Sequence, residues 1–133
     1  MNDCLLCSAV LGKRPVERLI ETSRTLGCLN RLSPVSRGHS VFFPKRHVPT
    51  LHEMDDADIA DIVVAIKKVA WAARIGDYTV LQNNGALGGQ TVWHVHFHLV
   101  PAWSKIERLH VKREARIAVD HGDFAEKVRA AMA

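Results

Sequence analysis

The sequence predicts an α+β domain in which one main helix packs on one face of an antiparallel sheet. Three observations support this fold class. The length of 133 residues suits one compact domain. Short strand-like segments lie on both sides of a single long amphipathic segment, and no internal repeat or low-complexity stretch interrupts them. The order of strands, helix and strands is typical of helices segregated to one face of a sheet.

Five segments have the character of strands, and turn residues separate them. Pro44 follows the third of these segments and Pro101 follows the fifth, and proline cannot donate to a strand ladder. The predicted strands span residues 16–20, 24–29, 39–43, 78–83 and 91–100.

The main helix is predicted between residues 55 and 76. Acidic residues crowd its start, where the helix dipole favours negative charge, and Gly76 is suited to close it. A shorter helix is predicted over residues 124–132. The apolar residues that recur at three- and four-residue steps, and so define the buried face of the main helix, are Ile59, Ile62, Val63, Ile66, Val69, Ala70 and Ala73.

The composition is that of an ordinary globular protein, with 47% hydrophobic and 24% charged residues. No apolar run approaches the roughly 18 residues of a membrane span, and the N-terminus lacks the pattern of a signal peptide. We therefore expect a cytoplasmic protein with reduced thiols and no membrane partner. The net charge of +4 fits either a solvated surface or a site that attracts anions. Nucleic acid is a less supported partner because basic residues are scattered, except in the run from 105 to 116.

The segment HVHFHLV places histidines at three alternate positions, His94, His96 and His98. In a strand this spacing puts three imidazoles on one face, while Trp93, Val95, Phe97 and Leu99 point into the layer between sheet and helix. Three structural histidines are hard to satisfy, since each has two ring nitrogens that need partners. A metal held by all three remains open. Nucleophilic or acid–base chemistry beside an anion is the interpretation that the preceding residues favour.

Those preceding residues read GGQT, from Gly88 to Thr91. Glycine lets the backbone approach a ligand closely, and backbone N–H groups can point at phosphate oxygens. Gln90 and Thr91 add side-chain donors. Alone the loop is weak evidence, but next to three histidines it predicts a phosphate site.

Together these motifs resemble the histidine triad (HIT) superfamily, whose signature alternates histidine with apolar residues. CLLC, RGHSVFFPKRHV and GGQTVWHVHFHLVP resemble blocks of that family in the same order, and only the tail after about Trp103 does not. The resemblance implies a five-stranded antiparallel sheet that dimerises into a ten-stranded one. It implies a nucleotide hydrolase or nucleotidyl transferase that acts on the α-phosphate of an AMP-containing purine nucleotide, with no catalytic metal required.

The resemblance also implies a role for individual residues. His96 would be the nucleophile, His98 would bind phosphate and help the leaving group, and His39 would belong to the same histidine network. Asn30 falls where family members contact the ribose. The residues that would hold phosphate oxygens, besides His98, are Asn83, Gly89, Gln90 and Thr91.

The proposed chemistry is physically reasonable for these residue types. A neutral imidazole is nucleophilic near neutral pH because its pKa lies near there. Attack on phosphorus gives a covalent nucleotidyl-histidine, which divides one difficult displacement into two easier ones. The ring nitrogen that does not attack must be fixed by a hydrogen bond, and charge on the phosphate oxygens requires preorganised donors.

Cys4 and Cys7 form a C-x-x-C pair, which in a cytosolic chain indicates metal binding or redox chemistry. The redox alternative lacks a βαβ context, and two inert buried thiols remain a further alternative. Bacterial HIT proteins of similar pattern hold a structural zinc, for which the matching histidines are His47 and His94. We therefore expect one HIT domain over residues 1–133, with a zinc-binding segment at 1–15 and a tail at 104–133. Cys28 is expected to be a core residue.

Several alternatives stay open on the sequence alone. Asn30 followed by Arg31 resembles the fragile histidine triad branch, which acts on dinucleoside polyphosphates. The C-x-x-C pair instead resembles Hint-type members, which act on nucleoside phosphoramidates. Removal of adenylate from nucleic-acid ends, as in aprataxin, and non-catalytic nucleotide binding are the other candidates. His52, His110 and His121 are expected at the surface, and Trp103 is expected either to pack, to line the nucleotide site or to lie at a dimer edge.

Overall fold

A computed structural model describes residues 3–112, 114 and 116–133. It contains a five-stranded antiparallel sheet in the order β1-β2-β3-β5-β4, so the predicted fold class is confirmed. A single-turn 3₁₀ helix, Leu51–Glu53, precedes the main helix. The strands are β1 Arg18–Glu21, β2 Thr25–Leu29, β3 Ser40–Pro44, β4 Tyr78–Gln82 and β5 Phe97–Pro101, and the α-helices are α1 Leu5–Val10, α2 Asp56–Ala72 and α3 Phe124–Met132.

The two faces of the sheet carry separate hydrophobic cores. On one face, α2 buries Ile62 and Ile66 against Phe42, Phe97 and other sheet residues. On the other face, α1 buries Ala9 against Leu26, Cys28 and Phe43. The sheet is therefore covered on both faces, although the helix on the second face has only one and a half turns.

Helix α1 was missed by the sequence analysis, which treated this segment only as a cysteine motif. The side chain of Cys4 caps the helix by accepting from the backbone N–H of Cys7 at 3.4 Å. A six-residue helix is unstable in isolation because too few hydrogen bonds offset the cost of nucleation. Its stability must therefore come from tertiary contacts, which local sequence pattern does not encode.

The predicted fifth strand was too long, because the ladder begins only at Phe97. Before that residue the chain leaves the sheet, and the N–H of Val95 donates to the carbonyl of Val48 at 2.8 Å. His98 is consequently the only one of the three alternating histidines that lies within a strand. The alternation itself still holds for Val95, Phe97 and Leu99, which are buried against α2. Trp93 does not follow it, since this side chain is 50% exposed.

Helix α2 ends earlier than predicted, and the residue that reverses the chain after it is not Gly76. Its last residue is Ala72, and Arg74 adopts a left-handed conformation with φ of 55° while Ile75 N–H bonds back to the carbonyl of Ala70. Gly76 therefore lies beyond the reversal of the chain. Val63 and Ala73, which were expected on the buried face, are exposed.

The tail after β5 is mostly exposed, and α3 has no buried residue. Within this tail, Trp103 is tied to the rest of the fold, because its indole N–H donates to the carbonyl of Arg37 at 2.7 Å. Two residues of the basic run from 105 to 116, Arg113 and Ala115, lie outside the described residues, as do residues 1 and 2 of the expected zinc-binding segment. No helix among the described residues has the length and apolarity needed to cross a membrane.

Candidate active site and metal cluster

His96 has a ring orientation that leaves one nitrogen available for chemistry. Its Nδ1 lies 2.8 Å from the carbonyl oxygen of His94. A carbonyl only accepts, so Nδ1 carries the proton and Nε2 of the neutral ring keeps its lone pair. His96 also lines a cavity of about 320 Å³. The histidine thus presents an unprotonated nitrogen to a space that is large enough for a ligand.

His98 is oriented by a relay that begins at a backbone amide. The N–H of Val35 donates to Nδ1 of His39 at 3.0 Å, so the proton of a neutral His39 lies on Nε2. That nitrogen is 2.9 Å from Nδ1 of His98 and donates to it. The proton of His98 must therefore be on Nε2, which makes this ring a hydrogen-bond donor at its other end.

Burial keeps both members of this histidine pair neutral at pH 7. Desolvation lowers the pKa of His39. Desolvation, with smaller contributions from the positive charges that His96 and His39 would carry, lowers the pKa of His98 to about 4. The direction is the expected one, because a low-dielectric surrounding disfavours the charged imidazolium.

The path of the loop from Asn83 to Val92 requires a glycine at position 88. A Cβ on Gly88 would lie 2.2 Å from the carbonyl oxygen of Asn84, which is a backbone clash. Gly89 adopts φ of +88° and comes close to the side chain of Asn83. The loop therefore depends on these glycines for its path beside His96.

Gln90 differs from the expectation that its side chain would hold phosphate. It is 5% exposed, its Nε2 donates to the carbonyls of Pro49 and Val92 at 2.6 and 3.0 Å, and its Oε1 accepts from the N–H of Gly85 at 2.9 Å. Because all of its amide groups are used within the protein, Gln90 braces the loop instead of offering donors to a ligand. The N–H groups of Gly89 and Gln90 are likewise bonded within the loop, to Ala86 and Gly85.

Thr91 and Asn83 are the loop residues that keep polar groups facing the cavity. Thr91 is exposed, and neither its N–H nor its hydroxyl has a hydrogen-bond partner among the described residues. Asn83 makes only a long contact of 3.5 Å, from Nδ2 to the carbonyl of Gly89. These two residues and Nε2 of His98 therefore offer donors to an anion beside His96.

Asn30 lies at the opposite side of the cavity with half of its amide already engaged. Its Oδ1 accepts from the backbone N–H groups of Leu32 and Ser33 at 3.2 and 3.3 Å. Its Nδ2 therefore remains as a donor toward a ligand. Arg31, next in the chain, pairs with Glu17 at the rim of the same cavity.

One cavity of about 320 Å³ collects most of the predicted nucleotide-site residues. His39 is not among them, because it lies behind His98. Apolar residues also line this cavity, and those from α1 were not predicted, because the local sequence does not encode so short a helix. The predicted residues that line the cavity are Asn30, Asn83, Gly89, Gln90, Thr91, His96 and His98; the apolar residues include Leu5, Leu6, Ala9, Val16, Leu29, Leu32 and Phe43.

The four predicted metal ligands converge on one point at the start of α1. The ligand atoms of Cys4, Cys7, His47 and His94 all lie within 4.8 Å of one another. Nδ1 of His94 is 3.5 Å from each thiol sulfur and 3.2 Å from Nδ1 of His47, which in turn is 3.3 Å from Sγ of Cys7. A tetrahedral zinc ion would hold such atoms roughly 3.3–3.8 Å apart. The donor set and its spacing therefore fit a metal ion.

The protonation pattern around His94 also fits a metal ligand. Its Nε2 donates to the carbonyl of Pro44 at 2.7 Å, so the lone pair is on Nδ1, which faces the thiols. An outer hydrogen bond of this kind is usual for metal-bound histidine. Burial and the adjacent thiol of Cys4 raise the pKa of the Cys7 thiol, and a bound cation would reverse this shift by favouring the thiolate.

The cluster and the cavity are joined through a single peptide group. His94 is fully buried, its ring is fixed in the cluster, and its carbonyl is the group that orients the ring of His96. An ion at the cluster would therefore hold the acceptor on which the tautomer of His96 depends.

The fold and the arrangement of histidines around this cavity point to one family of proteins. The sequence matches the HIT domain family over residues 13–105. It is 43% identical over 98 residues to adenosine 5'-monophosphoramidase hnt1 of Schizosaccharomyces pombe, covering 74% of this chain and 73% of that protein. It is 34% identical to adenylylsulfatase HINT3 of Arabidopsis thaliana, covering 75% of this chain and 52% of that protein.

A solved structure is similar over nearly the whole length. The histidine triad nucleotide-binding protein from Candida albicans superimposes with a TM-score of 0.86 at 33% identity, covering 98% of this chain and 97% of that chain. This chain belongs to the HIT family, which confirms the resemblance predicted from the motifs.

Proposed function

We propose that this protein hydrolyses nucleoside phosphoramidates, with the phosphoanhydrides of dinucleoside polyphosphates as the alternative substrates, through a covalent nucleotidyl-His96 intermediate. The hydrogen bond from Nδ1 of His96 to the carbonyl of His94 carries this proposal. It leaves Nε2 as the only nucleophilic nitrogen and aims the histidine into the cavity. The activities for which two relatives are named, adenosine 5'-monophosphoramidase and adenylylsulfatase, support adenylylated substrates.

In the first step, Nε2 of His96 forms a bond to the α-phosphorus as the bond from phosphorus to the leaving nitrogen breaks. The leaving nitrogen takes up one proton from solvent water and departs as the neutral amine, and Nδ1 of His96 keeps its own proton on the carbonyl of His94. In the second step, a water oxygen bonds to phosphorus, the bond to Nε2 breaks, and AMP and a proton are released. Two such displacements are each easier than direct attack by water.

The donors around the cavity would stabilise the charge on the phosphate oxygens in both steps. Nε2–H of His98 is held in place by the Val35–His39 relay, so it needs no reorganisation as charge develops. Thr91 and Asn83 offer further donors from the loop. Gln90 contributes indirectly, by holding that loop in shape.

The experiment that tests this function compares purified protein on AMP phosphoramidates, adenylyl sulfate, diadenosine polyphosphates and adenylated DNA. We expect the highest kcat/KM on a phosphoramidate. Preference for a diadenosine polyphosphate would instead favour the fragile histidine triad branch, and preference for adenylated DNA would favour nucleic-acid processing. AMP binding with no hydrolysis of any substrate would contradict the enzymatic proposal in favour of a binding protein.

We further propose that the cluster of Cys4, Cys7, His47 and His94 holds a structural zinc ion. Zinc would supply cross-linking of the N-terminal segment to the sheet, and it would take no direct part in the reaction. Two thiolates and two imidazoles are a common ligand set for tetrahedral zinc. Elemental analysis should give close to one equivalent, and less than half an equivalent in protein purified without chelators would remove this assignment.

The wider assembly is also part of the proposal. We propose a cytoplasmic, single-domain protein that forms a homodimer, and the three free cysteines suit a reducing compartment. The edge strand β4 exposes Tyr78 and Val80, and Trp71 on α2 is 83% exposed; an apolar edge strand of this kind favours pairing with another chain. Sedimentation equilibrium should give twice the mass of one chain, and a monomer at micromolar concentration would contradict the dimer.

A further inference from the structure

Helix α1 belongs to both sites at once. Cys4 and Cys7, at its start, supply two of the four groups in the metal cluster. Leu5, Leu6 and Ala9, on the same one and a half turns, line the nucleotide cavity. Any change in how α1 is docked therefore alters the cluster and the cavity together.

The docking of α1 depends on contacts outside the helix. Six residues cannot hold a helix in water, and Ala9 is the only buried residue that α1 contributes to the core. The cross-link through the cluster and the packing of Ala9, with the partly buried Leu6 and Val10, are therefore the interactions that keep its apolar side against the sheet.

We propose that the metal ion and the nucleotide bind cooperatively, because each stabilises the same docked position of α1. This inference rests on the proposed nucleotide and metal sites and concerns their coupling. A ligand that contacts Leu5 and Leu6 binds only when α1 is in place, and so does an ion that is held by Cys4 and Cys7. By thermodynamic linkage, occupancy of one site must then tighten the other by the same factor.

Substitution of Leu5 distinguishes coupling between the two sites from a general change in protein stability. Leu5 lines the cavity but is absent from both hydrophobic cores, and it is 41% exposed. Leu5→Ala therefore removes contact with a ligand while leaving the four metal groups and the core in place. Leu11, which ends the same segment, is exposed and does not line the cavity, so Leu11→Ala is a matched control.

The test measures zinc affinity of the full-length protein by competition with a chromophoric chelator, with and without saturating AMP. We expect AMP to tighten zinc binding about tenfold in the native protein and in Leu11→Ala, a coupling of ordinary size. In Leu5→Ala the effect of AMP should fall below about twofold. As a second measurement, zinc should tighten AMP binding to the native protein by the same factor that AMP tightens zinc.

The outcomes separate this inference from the proposed function. If AMP binds and zinc binds, but neither changes the affinity of the other, the coupling is wrong and both sites stand. If AMP changes zinc affinity equally in Leu5→Ala and the native protein, the coupling does not pass through α1. Failure to bind AMP at all would overturn the nucleotide site as well as the coupling.

Discussion

The metal cluster and the nucleotide cavity share the segment from His94 to His98. The two regions differ in whether their polar groups already have hydrogen-bond partners within the protein. In the cluster, both ring nitrogens of His94 have partners and the side chain is fully buried. In the cavity, Nε2 of His96 and the polar groups of Thr91 face open space. The same sequence motif therefore supplies one histidine to the cluster and two to the cavity. Alternate spacing therefore decides on which side of the backbone the histidines lie, whereas the hydrogen bonds of each ring decide what that ring can do.

The largest effect should come from removing the imidazole of His96 from the cavity. His96→Ala deletes the proposed nucleophile, and loss of a covalent catalyst typically costs at least about 10⁴-fold in kcat. The fold and the metal content should be unchanged, because no cluster ligand is lost. Steady-state kinetics with an AMP phosphoramidate measures this effect.

His121→Ala is the matched control, because His121 is exposed and lies outside every described cluster. It should retain native turnover. Near-native hydrolysis by His96→Ala across all adenylated substrates would mean that the nucleophile is assigned wrongly.

Removing one ligand of the cluster should have a smaller effect on activity, but it should also lower the metal content and the thermal stability. Cys7→Ala removes one ligand, so the protein should lose its metal and its Tm should fall by about 10 °C. Activity should also fall, by about 10- to 100-fold, because the carbonyl that orients His96 is no longer fixed. Metal content, calorimetry and turnover measure the three changes.

Cys28→Ala is the comparison for this variant, since Cys28 is buried but is not part of the cluster. It should keep its full metal content. Loss of metal from both variants, or from neither, would contradict the assigned ligands.

The loop on the cavity side offers a more local test. Gly88→Ala places a Cβ against the carbonyl oxygen of Asn84, so the loop must shift and carry Thr91 with it. We expect kcat/KM to fall by about 10- to 100-fold, the cost of displacing one or two phosphate donors. Gly76→Ala, where an added Cβ meets no atom within 4 Å, should be nearly silent. Equal effects of the two substitutions on kcat/KM would contradict a role for the loop.

The smallest effect concerns acid stability of the histidine pair. The pKa of His98 is lowered to about 4 by burial, so the unfolded chain takes up a proton at higher pH than the folded protein. Stability should therefore fall as pH decreases from about 6.5 to 4. A single such group contributes about 2 kcal/mol after allowance for its partial exposure to the cavity.

Denaturant unfolding at pH 7 and pH 4.5 measures this loss in the native protein and in His98→Asn. The decrease in the free energy of unfolding between the two pH values should be smaller in the variant. An identical decrease in both proteins would show that His98 is not the group responsible.

Alternation and helical spacing allowed the sheet and the main helix to be predicted. The polar residues of the cavity were predicted from the GGQT and alternating-histidine motifs and from the family that these motifs resemble, whereas its apolar residues from α1 were not predicted. Other features depend on tertiary contacts that spacing does not encode. The late start of β5 follows from His94 turning to the cluster and Val95 bonding to Val48. The bracing role of Gln90 appears only when its carbonyl partners are known, and one of these, Pro49, is 41 residues away.

The central claim is that His96 becomes covalently bonded to the substrate's phosphorus. Rapid quench into alkaline denaturant during turnover of an AMP phosphoramidate, followed by intact-mass and peptide analysis without an acid step, preserves the acid-labile bond between phosphorus and histidine and detects this intermediate. The account predicts a transient mass increase of one adenylyl group that maps to His96. Accumulation of AMP without any adenylylated protein at any time of quench, even when the second step is slowed, would contradict it.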